Sequence, residues 1–152
     1  MANEEAIKNE LLSKFQFLGE KLRVQRERRI FLDVDYSKFF DVFDYAVKNM
    51  NFSVLCTITG LDEGENLAFY YHLAKRDGTM LNIKTFAPKN SPVIKTVTGY
   101  FPGAHIYERE LEDMFGAKVE GLSPGKRYPL PDDWPVGQYP LRKDWTKEQL
   151  KK

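Results

Sequence analysis

A chain of 152 residues is long enough to bury one hydrophobic core and too short for two average domains, so we expect a single domain with a tail. Its 23 basic and 22 acidic side chains nearly cancel, which excludes a global attraction to nucleic acid or to an anionic membrane surface. One cysteine and two histidines exclude a disulfide within the chain and Cys/His clusters for zinc or iron-sulfur centres, and no apolar run approaches the roughly 20 residues of a bilayer helix.

The first predicted element is a short amphipathic helix over residues 3–18. Asn3 is a capping residue type, and acidic side chains follow it in the first turn, where the helix dipole favours them. Gly19 then ends the helix. Apolar residues recur at helical spacing and predict a buried stripe: Ile7, Leu11, Phe15 and Leu18.

A basic stretch over residues 21–29 comes next. Its five positive side chains are compatible with a phosphate-binding strip, and therefore with a nucleic-acid module. Leu22 and Val24 alternate with the charges as in a half-exposed strand, and no aromatic side chains are interleaved to stack on bases. We therefore favour a solvated strand or turn.

A sheet is predicted in the middle of the chain. Residues 30–34 read as a buried strand, and Asp35 or Ser37 then caps a helix with one apolar face. Three β-branched and aromatic runs follow and predict an antiparallel meander: residues 52–59, 66–75 and 79–86. The predicted fold class is α+β, with a mixed, largely antiparallel four-stranded sheet and helices packed on it.

Two helices are predicted after the sheet. Ser91-Pro92 is typical of a helix opening, and this short helix should end near Gly99. A second helix, over residues 104–115, ends at Gly116 and has a predicted buried stripe of Ala104, Tyr107, Leu111, Met114 and Phe115. We expect residues 1–121 to form the α+β domain.

The remaining residues, 122–152, form a Pro/Trp-rich tail. Five of the eight prolines lie between residues 124 and 140, which predicts an extended course near polyproline II. One motif occurs twice, eleven residues apart: Tyr128-Pro129-Leu130-Pro131-Asp132-Asp133-Trp134 and Tyr139-Pro140-Leu141-Arg142-Lys143-Asp144-Trp145. A segment this aromatic needs a surface to lie on. Trp134 and Trp145 either fold back on the chain's own sheet or anchor in a partner subunit, and we favour the partner.

Acidic side chains on the 104–115 helix are the first candidates for chemistry. Paired carboxylates can act as general acid and base when burial raises the pKa of one of them. Arg109, however, precedes Glu112 and Asp113 by three and four residues, a spacing that favours ion pairs on a surface or interface. We prefer the interface, and a free-standing acid-base enzyme that uses the Glu108 helix is the alternative of another class.

Neither a metal site nor a nucleophile is predicted. His105 and Glu108 have the spacing of one di-iron ligand pair, but the second pair that such a site needs is missing. Cys56 lies in an alternating apolar run and is expected to be a buried structural thiol, because the sequence places no base beside it to activate it as a nucleophile. His72 is expected to be an ordinary strand residue.

The last helix carries the motif Glu108-Arg109-Glu110, then Asp113, Met114, Phe115 and Gly116. This motif is similar to the signature of the 30-kDa (C) subunit family of complex I, and the resemblance extends from about Arg29 to Trp145. Leu122 stands where respiratory members usually have His, and Leu130-Pro131-Asp132-Asp133-Trp134-Pro135 replaces their usual turn. At these positions the sequence resembles that of the counterpart subunits in membrane-bound group 4 nickel-iron hydrogenases, formate hydrogenlyases and related ferredoxin-linked complexes.

The resemblance implies a non-catalytic structural and assembly subunit in the cytoplasmic arm of a membrane-bound, complex I-like oxidoreductase. A nickel-iron hydrogenase or a related ferredoxin-oxidising, ion-pumping complex is the preferred parent, and respiratory complex I is the alternative. The implied partners are the large catalytic subunit, neighbouring iron-sulfur subunits and, indirectly, the membrane arm. Nucleic acid and direct membrane insertion are not expected, and the implied location is peripheral, on the cytoplasmic side of the cell membrane.

The same resemblance implies that this chain binds no cofactor or metal and has no catalytic residue. Iron-sulfur clusters, and in hydrogenases a nickel-iron centre, would lie in other subunits. The implied interface combines the signature helix with the tail: Glu108, Arg109, Glu110, Asp113, Phe115, Trp134, Tyr139, Arg142, Lys143, Asp144 and Trp145.

Overall fold

The computed structural model of the chain describes residues 2–151. Its helices are α1 (Ala2–Lys14), α2 (Tyr36–Lys48) and α3 (Ala104–Phe115), and short 3-10 helices cover Gln16–Lys21 and Lys147–Lys151. The strands are β1 (Leu22–Arg26), β2 (Arg29–Asp33), β3 (Val54–Asp62), β4 (Asn66–Ala74), β5 (Met80–Pro88), β6 (Val93–Lys95) and β7 (Lys118–Glu120).

The main sheet has five strands in the order β1-β2-β5-β4-β3. β1 and β2 are antiparallel, whereas β2 and β5 are parallel, with Ile30 opposite Leu81. The α+β class with a mixed, largely antiparallel sheet is confirmed, but the sheet has five strands and not four. The additional strand is β1, in the basic stretch. Of its residues only Leu22 is buried, which explains why its sequence resembles a solvated turn.

The N-terminal helix is shorter than the sequence predicts. α1 ends at Lys14 because Phe15 leaves the helical region (φ -129°, ψ 76°), and a 3-10 helix continues from Gln16. Asn3 lies inside α1, and its amide donates to the Thr79 hydroxyl at 3.4 Å, so the predicted cap is wrong. The predicted apolar stripe is confirmed, since all four of its members are buried: Ile7, Leu11, Phe15 and Leu18.

By compactness the chain divides into two units, and the boundary passes through β3, β4 and β5. One unit runs to Thr57 and includes Tyr70–Thr85, and the other contains Ile58–Phe69 and the chain from Phe86 onward. In the first unit, α2 buries Phe39, whose ring lies 4.6 Å from that of Tyr71. The predicted apolar face of α2 therefore packs as expected.

In the second unit, the predicted helix from Ser91-Pro92 to Gly99 is wrong. Residues Val93–Lys95 form β6, which pairs in parallel with β7 and places Ile94 opposite Val119. β-branched side chains favour a strand at this point, and Ile94 is fully buried. The Ser-Pro pair precedes this strand instead of a helix.

The predicted bounds of α3 are confirmed, and the helix ends at Gly116 in the left-handed conformation (φ 71°). From Pro131 onward the chain differs from the expected extended course. Backbone hydrogen bonds close successive turns, from Trp134 to Pro131, from Arg142 to Tyr139 and from Trp145 to Arg142. Proline and glycine favour tight turns as well as extended chain, and here they form turns.

Candidate functional site

Glu108, the first residue of the signature motif, is fully buried (0% exposed) in the second unit. Its two carboxylate oxygens accept hydrogen bonds from the Val97 N–H (2.7 Å) and the Thr96 hydroxyl (2.6 Å). Both donors belong to the segment after β6, so Glu108 fastens α3 to that segment. Burial raises the pKa of Glu108, and these two hydrogen bonds oppose the increase.

A raised pKa is what the alternative acid-base enzyme would require of Glu108. A general acid must also come within hydrogen-bond distance of its substrate. The Glu108 carboxyl has no exposed surface, and both of its oxygens are already occupied by the protein. The geometry therefore favours a role for Glu108 in orienting the helix, instead of the interface role that the resemblance implies.

Glu108→Gln is expected to remove part of the pH dependence of unfolding. The unfolded carboxyl, with its ordinary pKa of 4.5, loses its proton at a lower pH than the folded one, whose pKa is raised. This contribution to stability is therefore complete below pH 4.5 and is lost as the pH rises through the folded-state pKa. Denaturant unfolding of both proteins at several pH values above 4.5 measures the difference in slope. Identical slopes would contradict this assignment, and Glu110→Gln controls for removing a charge from the same helix.

Arg109 and Asp113 hold the segment that follows β7. The Arg109 guanidinium donates to Glu112 (2.9 Å) and to the Ser123 carbonyl oxygen. Asp113 does not pair with Arg109. It accepts from the Leu130 N–H (3.0 Å) and lies 3.5 Å from the Arg127 guanidinium. The charges of the signature helix are therefore used largely within the chain, to fix the start of its own tail.

The end of α3 supports the second copy of the repeated motif. The Arg142 guanidinium donates to the carbonyl oxygen of Phe115 (2.7 Å) and also lies over the Tyr139 ring, 4.8 Å from its centroid. That ring covers Gly116 so closely that a Cβ there would overlap it. These contacts explain why a glycine follows the helix, since the position needs both a left-handed conformation and a missing side chain.

Asp62 is a further anchor for the tail, and sequence reasoning missed its role. Its side chain, only 1% exposed, pairs with the Lys89 ammonium (2.7 Å) and accepts from the Lys143 N–H (2.8 Å). Lys89 also binds the exposed carboxylate of Asp144 (3.0 Å). Asp62 is the last residue of β3 and opens the acidic stretch Asp62-Glu63-Gly64-Glu65, in which nothing local points to a distant partner. The one available signal was the Gly64 two residues later, whose N–H it accepts (2.8 Å).

The pKa of Asp62 reflects this anchoring. Burial alone would raise the pKa of its carboxyl group. Hydrogen bonds from the Lys89 ammonium and from the N–H groups of Lys143 and Gly64 outweigh burial and lower that pKa to about 2. Asp62 is thus a permanently charged anchor at neutral pH.

The two tryptophans of the repeat come together. The Trp134 and Trp145 rings lie 6.0 Å apart, and both indole N–H groups donate to Gln138, one to its backbone oxygen (2.9 Å) and one to its side-chain oxygen (3.2 Å). Both rings remain half-exposed. The doubled motif therefore builds one indole pair around Gln138, which the sequence did not indicate.

Between the two copies of the motif, a turn projects an apolar side chain. The Gln138 N–H donates to the Pro135 oxygen (3.4 Å) and Gly137 has a positive φ of 81°, so Val136 lies at the corner of the turn. Val136 is 93% exposed. The tail thus fastens to its own unit through these contacts and leaves an indole pair and an apolar side chain partly or largely exposed.

The other predicted interface residues differ in how far their side chains are exposed. Lys143 and Asp144 have exposed side chains, although the backbone of the first and the carboxylate of the second are tied to the Asp62 anchor. Glu110 is half-buried on α3. Phe115 is buried and packs against Gly60, so its side chain belongs to the core.

Three further candidates lie elsewhere in the chain. Cys56 is exposed, so the predicted buried thiol is wrong, and the reason is that β3 forms an edge of the sheet. His72 lies on β4, as expected, with Nδ1 2.6 Å from the Asn82 side-chain oxygen. Within residues 2–151, we find no group of three His, Cys, Asp or Glu side chains arranged to hold a metal ion. The helices of this same range are too short or too polar to cross a membrane.

Sequence comparison finds relatives over most of the chain. Residues 32–150 match the family described as respiratory-chain NADH dehydrogenase, 30 Kd subunit. The C subunit of the F(420)H(2) dehydrogenase of Methanosarcina mazei is 32% identical over 138 residues, which cover 89% of this chain and 87% of that protein. The membrane-bound hydrogenase subunit beta of Pyrococcus furiosus is 39% identical over 87 residues, covering 55% of this chain and 50% of that protein.

A solved structure shares the fold. A chain of the membrane-bound sulfane sulfur reductase, an archaeal respiratory membrane complex, superposes with a TM-score of 0.81 at 30% identity. The superposition covers 97% of this chain and 88% of that chain. Both the family match and the superposition include most of the tail.

Proposed function

Because the chain belongs to the family of the 30-kDa subunit of respiratory-chain NADH dehydrogenase, we propose that it is a structural subunit of a complex I-like, membrane-bound oxidoreductase. Its preferred parent is a nickel-iron hydrogenase or a related ferredoxin-linked complex. The similarity to a hydrogenase subunit and to a chain of a sulfane sulfur reductase supports that branch. A respiratory complex I remains the alternative parent.

The proposed docking partner is the large catalytic subunit, with iron-sulfur subunits as neighbours and the membrane arm as an indirect one. In this account the chain is not catalytic and binds no cofactor, and the clusters lie in the other subunits. It sits peripherally, on the cytoplasmic side of the membrane.

The observation that carries the proposal is the surface that the tail builds. Asp62, Asp113 and the end of α3 hold the tail in place, so the Trp134/Trp145 pair and Val136 are fixed before any partner arrives. Preorganised aromatic anchors lose little entropy on binding and are typical of interface centres. The internal contacts of the tail and its partner-binding role are therefore compatible, although the sequence presented them as alternatives.

Val136→Asp should weaken assembly while leaving the fold intact. The side chain is almost fully exposed in the isolated chain, so a charge there costs little until a partner has to bury it. We expect a loss of about 2 kcal/mol of binding free energy, as for an interface anchor. The measurement is the amount of the large catalytic partner that is recovered with the tagged chain.

Val54→Asp is the matched control for this experiment, because Val54 is an exposed valine of the other unit, on β3. Trp145→Ala should weaken assembly as well, although it also removes the contact with Trp134. Normal recovery of the large subunit with Val136→Asp would refute the docking role of the tail.

A further inference from the structure

An open groove of about 640 Å³ lies beside the N-terminal half of α3, within the second unit. One wall is α3 itself, and the other is the segment from Leu122 to Tyr128 at the start of the tail. Its apolar lining includes Ile106 and Tyr128, which are 44% and 53% exposed. Two large apolar side chains facing one open groove are a common feature of binding surfaces.

The charged side chains along this groove are all basic. Arg109, Lys126 and Arg127 contribute to the lining, and none of the lining residues, which all lie in the described part of the chain, is Asp or Glu. Arg109 and Arg127 are held by Glu112 and Asp113, whose own side chains lie outside the lining. Lys126 is exposed and forms no ion pair within residues 2–151. The two arginines are therefore fixed in position and paired, and Lys126 adds an uncompensated positive charge to the groove.

The groove is also connected to the proposed docking surface. Arg127 lines the groove and donates to the Trp134 carbonyl oxygen at 2.7 Å. The groove wall and the indole pair thus belong to one continuous segment. A partner that covers the indole pair would lie close to the groove.

We propose that this groove receives a segment of the large catalytic subunit that carries an apolar side chain next to an Asp or Glu. This inference rests on the proposed function and specifies how the same partner is recognised. The apolar side chain would pack between Ile106 and Tyr128, and the carboxylate would meet Lys126 at the rim. Complementary charge at such a rim fixes the register of an interface and accelerates association.

A site-specific photo-crosslinker tests the occupant in the assembled complex. p-Benzoylphenylalanine replaces Ile106 in one tagged chain and Val136 in another, the complex is isolated from native membranes, and crosslinked peptides are identified by mass spectrometry. We expect the Ile106 position to crosslink to a large-subunit segment with an acidic residue close to the attachment point. Crosslinks only to this chain, to lipid, to nucleic acid or to a segment without an acid would overturn the inference.

The crosslinker at Val136 distinguishes a failure of the groove proposal from a failure of the proposed function. A crosslink from Val136 to the large subunit with none from Ile106 would overturn the groove proposal without contradicting the proposed function. Recovery of the tagged chain without any large subunit would remove both.

Charge reversal supplies a second test. Lys126→Glu should reduce the association rate with the large subunit by about tenfold at low salt, and the deficit should shrink as salt is added. Lys118→Glu is the matched control, since Lys118 is an exposed lysine on β7 of the same unit and outside the groove lining. Lys126→Arg, which keeps the positive charge, should associate at the rate of the unsubstituted chain. Equal rates for Lys126→Glu and Lys118→Glu would overturn the proposal.

Discussion

Asp62→Asn is expected to lower the free energy of unfolding by about 3 kcal/mol, because it removes one partner of a buried ion pair and leaves the Lys89 ammonium poorly compensated. Asn cannot replace the charge, although its oxygen can still accept from the Lys143 N–H. Denaturant unfolding at neutral pH measures the change. Asp44→Asn is the control. It breaks an exposed i,i+4 pair with Lys48, for which about 0.5 kcal/mol or less is expected.

The pH dependence of the Asp62 contribution has a definite sign. The folded-state pKa of about 2 lies below the ordinary value of 3.8, so between these two values the unfolded chain binds a proton that the folded chain does not. Stability from Asp62 is therefore complete above pH 3.8 and is lost as the pH falls toward about 2. Asp62→Asn should lose less stability than the unsubstituted chain over this interval. An equal loss would show that Asp62 is not the charged anchor.

Gly116→Ala is expected to cost about 3 kcal/mol, from two sources. The left-handed conformation (φ 71°) costs a residue with a Cβ about 1 kcal/mol, and displacing the Tyr139 ring adds about 2 kcal/mol of overpacking. Gly137→Ala is the matched control, because Gly137 has a similar φ of 81° and open space around the position of a Cβ. It should cost only about 1 kcal/mol. Thermal or denaturant unfolding of both variants gives the comparison.

A double-mutant cycle isolates the ring contact. In a Tyr139→Ala background, Gly116→Ala should cost no more than Gly137→Ala does, because the ring is gone and only the backbone conformation remains. A cost of about 3 kcal/mol in that background would show that Tyr139 is not what the methyl group meets.

Local signals predicted α3 and its end correctly. The helical spacing of its apolar residues indicated residues 104–115, and a glycine after the last apolar position indicated the left-handed stop. The same spacing places Glu108 on the buried stripe, four residues after Ala104 and three before Leu111, and Glu108 is indeed buried. Because glutamate counts as a polar residue in a hydrophobic pattern, the sequence did not predict its buried hydrogen bond with Val97.

Other features depend on contacts between distant residues. Asp62 and Lys143 are 81 positions apart, and the sequence near either residue does not predict their hydrogen bond. The exposure of Cys56 depends on β3 being an edge strand, which is a property of the strand order. Ser91-Pro92 predicted a helix, and only the pairing of Val93 and Ile94 with β7 shows that this segment is a strand.

Purification of the tagged chain from gently solubilised native membranes tests whether it is a docked subunit of a membrane-bound oxidoreductase. Mass spectrometry then identifies the proteins that accompany it. We expect a large catalytic subunit in near-equal amount, together with iron-sulfur and membrane subunits. The metal-binding cysteines of that large subunit would distinguish a hydrogenase from its relatives. Recovery of the chain alone, from the soluble fraction, would show that it is not such a subunit.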